Sequence, residues 1–425
     1  MEEVILTGSG VRVYAYRNPA LHGFYLSLYV RAGSLYESEE LSGIGHFLEH
    51  VCIRNINALT GGQLYVLLDR YGMEFNAATY NDVIQFYISG ASEYFEEGVR
   101  MITKLFSPFV LTKEEIDLER RRIKAEIREG DDKNTLAGYT SGVLYPDSSL
   151  RLPIVGTNSS VERITRRRLE EHRRACFVPE RMFFYVTGNV SDSNLQALCD
   201  AVDTYDLDRG TEVEPPAYPR NFGHREGGVF VKNADFTMLR FNFDLDLARV
   251  SEAEADLLYD ILFSGYSSRF FMELSEQRGL FYDVSGSVDR YAPVGLLYFS
   301  FEVKHRDIEE TVRLSVELLR RMKRELLSDA DILRAPYVDN AYLLYDDSRE
   351  LNFTFAYSSH ILGMPYRSLE DRIAAYRAVT PERLREIARM IFTSANCTLT
   401  IKGNKKKIDT ESLHHLLLEL DRDEM

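Results

Sequence analysis

Residues 165–189, TRRRLEEHRRACFVPERMFFYVTGN, and residues 380–404, TPERLREIARMIFTSANCTLTIKGN, align without a gap at an offset of 215 residues, with eight of 25 positions identical. Each copy reads the same way: a threonine placed to cap, an amphipathic helix, a turn, then an alternating strand that closes on Gly-Asn. In a chain of 425 residues the offset is half the length, so the repeat predicts two similar halves, each with its own core. The boundary falls at EVEPPAYPRN (212–221), which holds three of the twelve prolines and reads as a linker, giving domains at 1–213 and 222–425.

Other segments pair across the same halves. FYLSLYVRAG (24–33) and MLRFNFDLDL (238–247) are apolar and partly alternating, as half-buried strands are, and each precedes a long helical stretch. FSPFVLTKEEIDLERRRIKAEIREG (106–130) resembles LLRRMKRELLSDADILRAPYVDNAYLL (318–344), and in both a capping Thr or Ser opens a long charged helix. Strands and helices mixed without strict βαβ alternation predict an α+β fold, each half a mainly antiparallel sheet packed with helices.

Composition narrows the function. With 45% hydrophobic and 28% charged residues the chain has the make-up of an ordinary globular protein. A net charge of -15 argues against a nucleic-acid surface. The basic runs ERRRIK (119–124) and RITRRRLEEHRR (163–174) are interleaved with acids and apolar residues, and read as solvated helix faces. No apolar run reaches the 18 residues of a membrane span, and the opening MEEVILTGSG has acids where a signal peptide is basic; the expectation is a cytoplasmic protein. Cys52, Cys176, Cys199 and Cys397 are too scattered for a disulfide framework or a thiolate zinc site.

The chemistry concentrates in SGIGHFLEHV (42–51). Ser42 is placed to cap a helix through 44–55, on which His46 and His50 lie four residues apart and face the same way, within the reach two imidazoles need to share one metal ion. Glu49 flanks that face. Chance alone places HxxEH in roughly 2% of chains of this composition, so a third ligand is required.

HxxEH is the inverted form of the HExxH zinc-peptidase motif. GIGHFLEHV, GMEFNAATYNDVIQFYIS and LERRRIKAEI together resemble the M16, or pitrilysin-like, metallopeptidases, and the resemblance extends over nearly the whole chain. It implies one Zn2+ per chain held by His46, His50 and Glu126, the last lying 76 residues beyond His50. It also implies Glu49 as general base and Glu119 as a support of the metal site. Asn76, Ala77 and Ala78 would form an edge strand that pairs with substrate backbone. The implied reaction is zinc-dependent hydrolysis of peptides enclosed in a clamshell of homologous domains.

The second half departs from the family pattern. SSRFFMELSEQRGLFYDVSGSV (267–288) resembles the family's LREKRGLAYSV segment, whose arginine and tyrosine reach the substrate; Tyr282 is present, but the arginine position is Ser275. Arg278 nearby matches a different basic residue and reads as surface. A serine cannot replace a bidentate cation, so the expectation is a heterodimer in which this chain bears the zinc and a homologous M16-type subunit supplies the Arg/Tyr pair, with a homodimer as the other arrangement. The alternative function is a catalytically silent peptide-binding or assembly subunit. EADLLYDILFSG, the stretch corresponding to the zinc helix, has no histidine, so no second zinc site is expected. The net charge leans toward basic peptides as substrates.

Overall fold

The computed structural model describes residues 1–214, 227–230, 235–291, 294–328, 348–366 and 368–422. Contacts divide the chain into two compact units, one of 1–133, 147–216 and 344–368, the other of 134–146, 217–343 and 369–425. The proline-rich linker, from residue 215 onward, and the helix expected after Ser328 lie outside the described residues.

In the first unit six strands, β1 (Glu3–Leu6), β2 (Arg12–Arg17), β3 (Gly23–Val30), β4 (Glu74–Thr79), β5 (Ile84–Ala91) and β6 (Met182–Gly188), form a sheet of order β1-β2-β6-β3-β5-β4. All neighbours are antiparallel except β2 and β6. The second sheet, of β7 (Gly227–Phe230), β8 (Phe236–Asp246), β9 (Ser285–Tyr291), β10 (Val294–Lys304) and β11 (Cys397–Gly403), runs β7-β11-β8-β10-β9. Its one parallel pair is β7 with β11. The two sheets thus share one plan. The sequence repeat is realised residue for residue: helices Arg166–Cys176 and Pro381–Ile391, capped by Thr165 and Thr380, lead into β6 and β11 at the same offset.

Period-two alternation decides how the first sheet is covered. Phe24, Leu26, Leu28 and Val30 of β3 enter a core with Phe47, Leu48, Val51 and Ile56 of helix Ile44–Leu59. The alternate residues Tyr25, Ser27 and Tyr29 point to the opposite face and are also buried. Their cover is helix Ser348–Phe355. Its Asn352, fully buried, donates from Nδ2 to the carbonyls of Tyr25 (3.2 Å) and Tyr185 (2.9 Å) and accepts at Oδ1 from the Tyr29 hydroxyl (3.1 Å). Phe355 stacks on Tyr16, and the Tyr357 hydroxyl donates to Asp82 at 2.6 Å. The simple division at 213/222 is therefore corrected in two places. Segment 344–368 packs with the first unit, because a sheet with apolar and aromatic residues on both faces needs a second cover, and 134–146 counts with the second.

The arginine runs are largely solvated, with Arg121, Arg122, Arg163, Arg166, Arg167 and Arg174 exposed, but three of their side chains also bind backbone. Arg120 lies over the Phe47 ring at 5.1 Å and donates to the carbonyls of Val161 and Ile164, while Arg166 and Arg173 bind carbonyls at Phe109, Leu111 and Leu105. These side chains tie loops to the helices, each guanidinium satisfying backbone acceptors. All four cysteines are buried, and burial pushes the Cys52 thiol up to about 12. Among the described residues no helix is long and apolar enough to cross a membrane.

Candidate metal centre

Helix Ile44–Leu59 begins differently from the sequence expectation. Ser42 does not cap it: the Ser42 hydroxyl donates to the Pro153 carbonyl at 3.4 Å. The N-cap is Gly43, at φ 87°, a conformation glycine adopts without steric cost. The helix start is held instead by Glu37, 7% exposed, whose Oε2 accepts from Gly43 N (2.7 Å) and Oε1 from Gly45 N (2.8 Å). Glu37 thus satisfies donors that a helix N-terminus leaves unpaired, and its charge suits the positive end of the helix dipole. A Cβ on Gly45 would lie 2.7 Å from the Ala32 carbonyl, so only glycine allows this close approach.

One turn of this helix separates His46 from His50, whose ring centroids are 4.7 Å apart. Helix Lys113–Leu144 brings up Glu126. Its Oε1 lies 3.6 Å from His46 Nε2, and its Oε2 lies 3.7 Å from His50 Nε2. Ligand atoms of the three residues all fall within 4.8 Å of one another. Two atoms each about 2.05 Å from a tetrahedral zinc stand about 3.3 Å apart. The two imidazole–carboxylate spacings are within a few tenths of that, and two imidazoles with one carboxylate form a borderline donor set that suits Zn2+. The residues present therefore fit the ion.

The surroundings prepare these ligands. Burial lowers the His46 pKa and so keeps the ring neutral, with a lone pair to give; its Nδ1 is buried and has no hydrogen-bond partner among the described residues. For His50 burial acts in the same direction, but hydrogen bonds to Glu119 and Glu126 outweigh it and raise the pKa. Glu119, two turns before Glu126 and 2% exposed, accepts from His50 Nδ1 at 3.2 Å, which leaves Nε2 facing Glu126. The opposite oxygen of Glu119 is held by Arg54 Nε and by Arg122 Nη1, the latter at 3.0 Å. Burial raises the pKa of Glu119, but His50 and Arg54 outweigh it, so the carboxylate stays ionised. Glu126 is likewise held below the usual carboxylate range, chiefly by its hydrogen bond to His50.

Glu49 lies one residue before His50, and its Oε2 accepts from the Thr79 hydroxyl at 2.5 Å. Burial raises its pKa against that bond, which makes it a better proton acceptor than a free carboxylate. Thr79 ends β4, the sheet's edge strand, so strand and helix meet at the candidate base. Asn76 on β4 lines a cavity of about 420 Å³ with Glu49, His50, Ile53, Arg54, Asn57, Tyr65, Glu119 and Arg122. Among the described residues Asn76, Ala77 and Ala78 pair with Tyr87, Phe86 and Gln85 of β5 on one side only.

The first unit therefore brings together His46, His50, Glu126, Glu49 and Glu119 and sets Asn76 at the same cavity. Tyr282 belongs to the second unit and is 95% exposed. Ser275 stands in a π-helical turn, Phe271–Glu276, and donates to the carbonyls of Phe281 (2.7 Å) and Tyr282 (3.3 Å), so it braces the turn that carries Tyr282. Arg278 is exposed. Helix Glu252–Phe263 carries no histidine; its Asp256 pairs with Arg290 and accepts from the Tyr376 hydroxyl at 2.6 Å. Sequence reasoning missed Glu37, Thr79, Arg54 and Tyr65. Two of these left a signal: Arg54 stands four residues after His50 on one helix, and Phe75, Ala77 and Thr79 are alternate residues of one strand that share its helix-facing side.

Comparison with known proteins gives a consistent result. Residues 12–157 match the family described as Insulinase (Peptidase family M16), and residues 163–335 match the Peptidase M16 inactive domain. The uncharacterized zinc protease YmxG of Bacillus subtilis is 23% identical over 390 residues, 91% of this chain and 94% of that one. Among solved structures, a protease from Helicobacter pylori superposes with a TM-score of 0.83 at 16% identity, covering 95% of this chain and 99% of the other. The periplasmic protease PqqL from Escherichia coli gives 0.80 at 17% identity, with all of this chain covering 50% of that one. At such identities the structural likenesses speak for the fold alone.

Proposed function

This chain belongs to the M16 peptidase family, and from that premise we propose that it is a zinc-dependent endopeptidase and the metal-bearing subunit of a two-chain enzyme. The observation that carries the reading is the convergence of His46, His50 and Glu126 from two helices onto one point, with the Glu49 carboxylate beside it. A zinc ion bound there supplies Lewis-acid polarisation of the scissile carbonyl and lowers the pKa of water to near neutrality.

The chain's own residues do the rest. Thr79 fixes Oε2 of Glu49, and Oε1 takes the proton of the attacking water and returns it to the leaving amine. Glu119 holds His50 through Nδ1, so the ring presents Nε2. The one-sided pairing of β4 leaves main-chain groups that an extended peptide can join, an interaction indifferent to most side chains. Ser275 in place of the family's arginine supports a second M16-type chain as the source of the missing cation.

Full-length chain with one bound zinc should cleave a mixed peptide library, more strongly with an M16-type partner present. Glu49→Gln should keep the metal and lose cleavage by at least a hundredfold, as removal of a general base does. A chain that binds no zinc, or that loses none on His46→Ala, refutes the reading.

A further inference from the structure

The cavity beside His50 is lined by two carboxylates, Glu49 and Glu119, and by two guanidinium groups, Arg54 and Arg122, that support of the metal only partly occupies. One carboxylate, Glu119, is shared by two guanidinium groups. Arg54 uses Nε for it, and its two terminal nitrogens make no hydrogen bond among the described residues. Arg122 uses Nη1, and its side chain is 57% exposed. Both face the cavity, together with the half-exposed ring of Tyr65.

Their register is informative. Arg54 lies one turn after His50, and Arg122 one turn before Glu126. At 1.5 Å per residue, each guanidinium-bearing position is about 6 Å along its helix from a ligand of the candidate metal. A peptide whose scissile carbonyl sits at His46, His50 and Glu126 has its flanking residue within that distance, since an extended chain advances about 3.3 Å per residue. Planar donor forks at such a spacing recognise carboxylates in a bidentate manner.

We propose that Arg54 and Arg122 form a subsite for the carboxylate of the residue flanking the scissile bond, either an acidic side chain or the peptide's own C-terminus. The inference rests on the peptidase reading and reverses the substrate preference that the net charge of -15 implies, because the potential in a small cavity follows its nearest charges rather than the total.

Binding separates this subsite from the chemistry. Fluorescein-labelled, C-terminally amidated octapeptides carrying Glu, Gln or Lys on either side of the central bond are titrated onto full-length Glu49→Gln protein. A Gln peptide truncated so that its free carboxylate occupies the same place is titrated alongside them. The Glu peptides should bind about tenfold tighter than Gln, the lower range for a charge-assisted hydrogen bond. Arg122→Glu in the same background should favour Lys instead, and Arg122→Gln should remove the preference without inverting it. If the free C-terminus gains and the acidic side chains do not, the subsite reads chain ends. Equal affinities for Glu, Gln and Lys together with no gain for the free C-terminal carboxylate, or a preference untouched at Arg122, overturn the proposal. Cleavage of the neutral peptide by the parent chain tests the peptidase reading separately.

Discussion

Replacing Glu37 by glutamine tests whether a buried anion holds the start of the metal-bearing helix. The Glu37 carboxyl is pushed from the ordinary 4.5 up to about 7, by burial first, against the lowering effect of the Gly45 and Gly43 N–H donors. Between those values the folded protein holds a proton that the unfolded chain has released, so the group's contribution to stability falls as pH rises through this window. A difference of about 2.5 units at 1.36 kcal/mol each amounts to about 3 kcal/mol. Glutamine has the same shape and no titration. It keeps one acceptor oxygen for two donors, and the orphaned N–H costs about 1–3 kcal/mol at every pH. Subtracting wild type from Glu37→Gln cancels every other titrating group. The variant should therefore gain about 3 kcal/mol relative to wild type between pH 4 and pH 8, whatever its offset. The chain has no tryptophan, so urea unfolding is best followed by far-UV circular dichroism. A difference that stays flat across that range refutes the buried, ionisable grip.

Two further outcomes follow from single side chains. Glu119→Gln weakens the hold on His50 and leaves the Arg54 guanidinium short of its anion; zinc affinity, measured by competition with a chelating dye, should drop about 10- to 100-fold while far-UV dichroism stays unchanged. Asn352→Ala removes an amide that bridges Tyr25, Tyr29 and Tyr185 and leaves buried partners unpaired; thermal unfolding should show a loss of about 2–4 kcal/mol, whereas a loss below about 0.5 kcal/mol would mean that helix Ser348–Phe355 does not close the sheet.

Much of the site was legible in the sequence because its parts are local. His46, Glu49 and His50 share a helix face through i, i+4 geometry, and Glu119 and Glu126 repeat at two turns on another helix. Their joining was legible only through resemblance to a family, since nothing in spacing tells one helix where another lies. Glu37 and Thr79 reach the site from a loop and a strand end, across contacts that neither propensity nor period encodes. The mistaken Ser42 cap shows the same limit: a capping residue in the right place lost to a carboxylate six residues before Gly43 that the fold brings closer.

Sequence alone determined the doubling of the α+β unit, because the repeat copies local instructions, a cap, a helix and an alternating strand, that act over a few residues each. Tertiary structure decided which segments complete each unit. Alternation on β3 marks Tyr25, Ser27 and Tyr29 as one face but leaves open what covers them. The cover, Ser348–Phe355, comes from the far half of the chain, because burying that face and pairing its carbonyls is a demand of the whole sheet rather than of any segment.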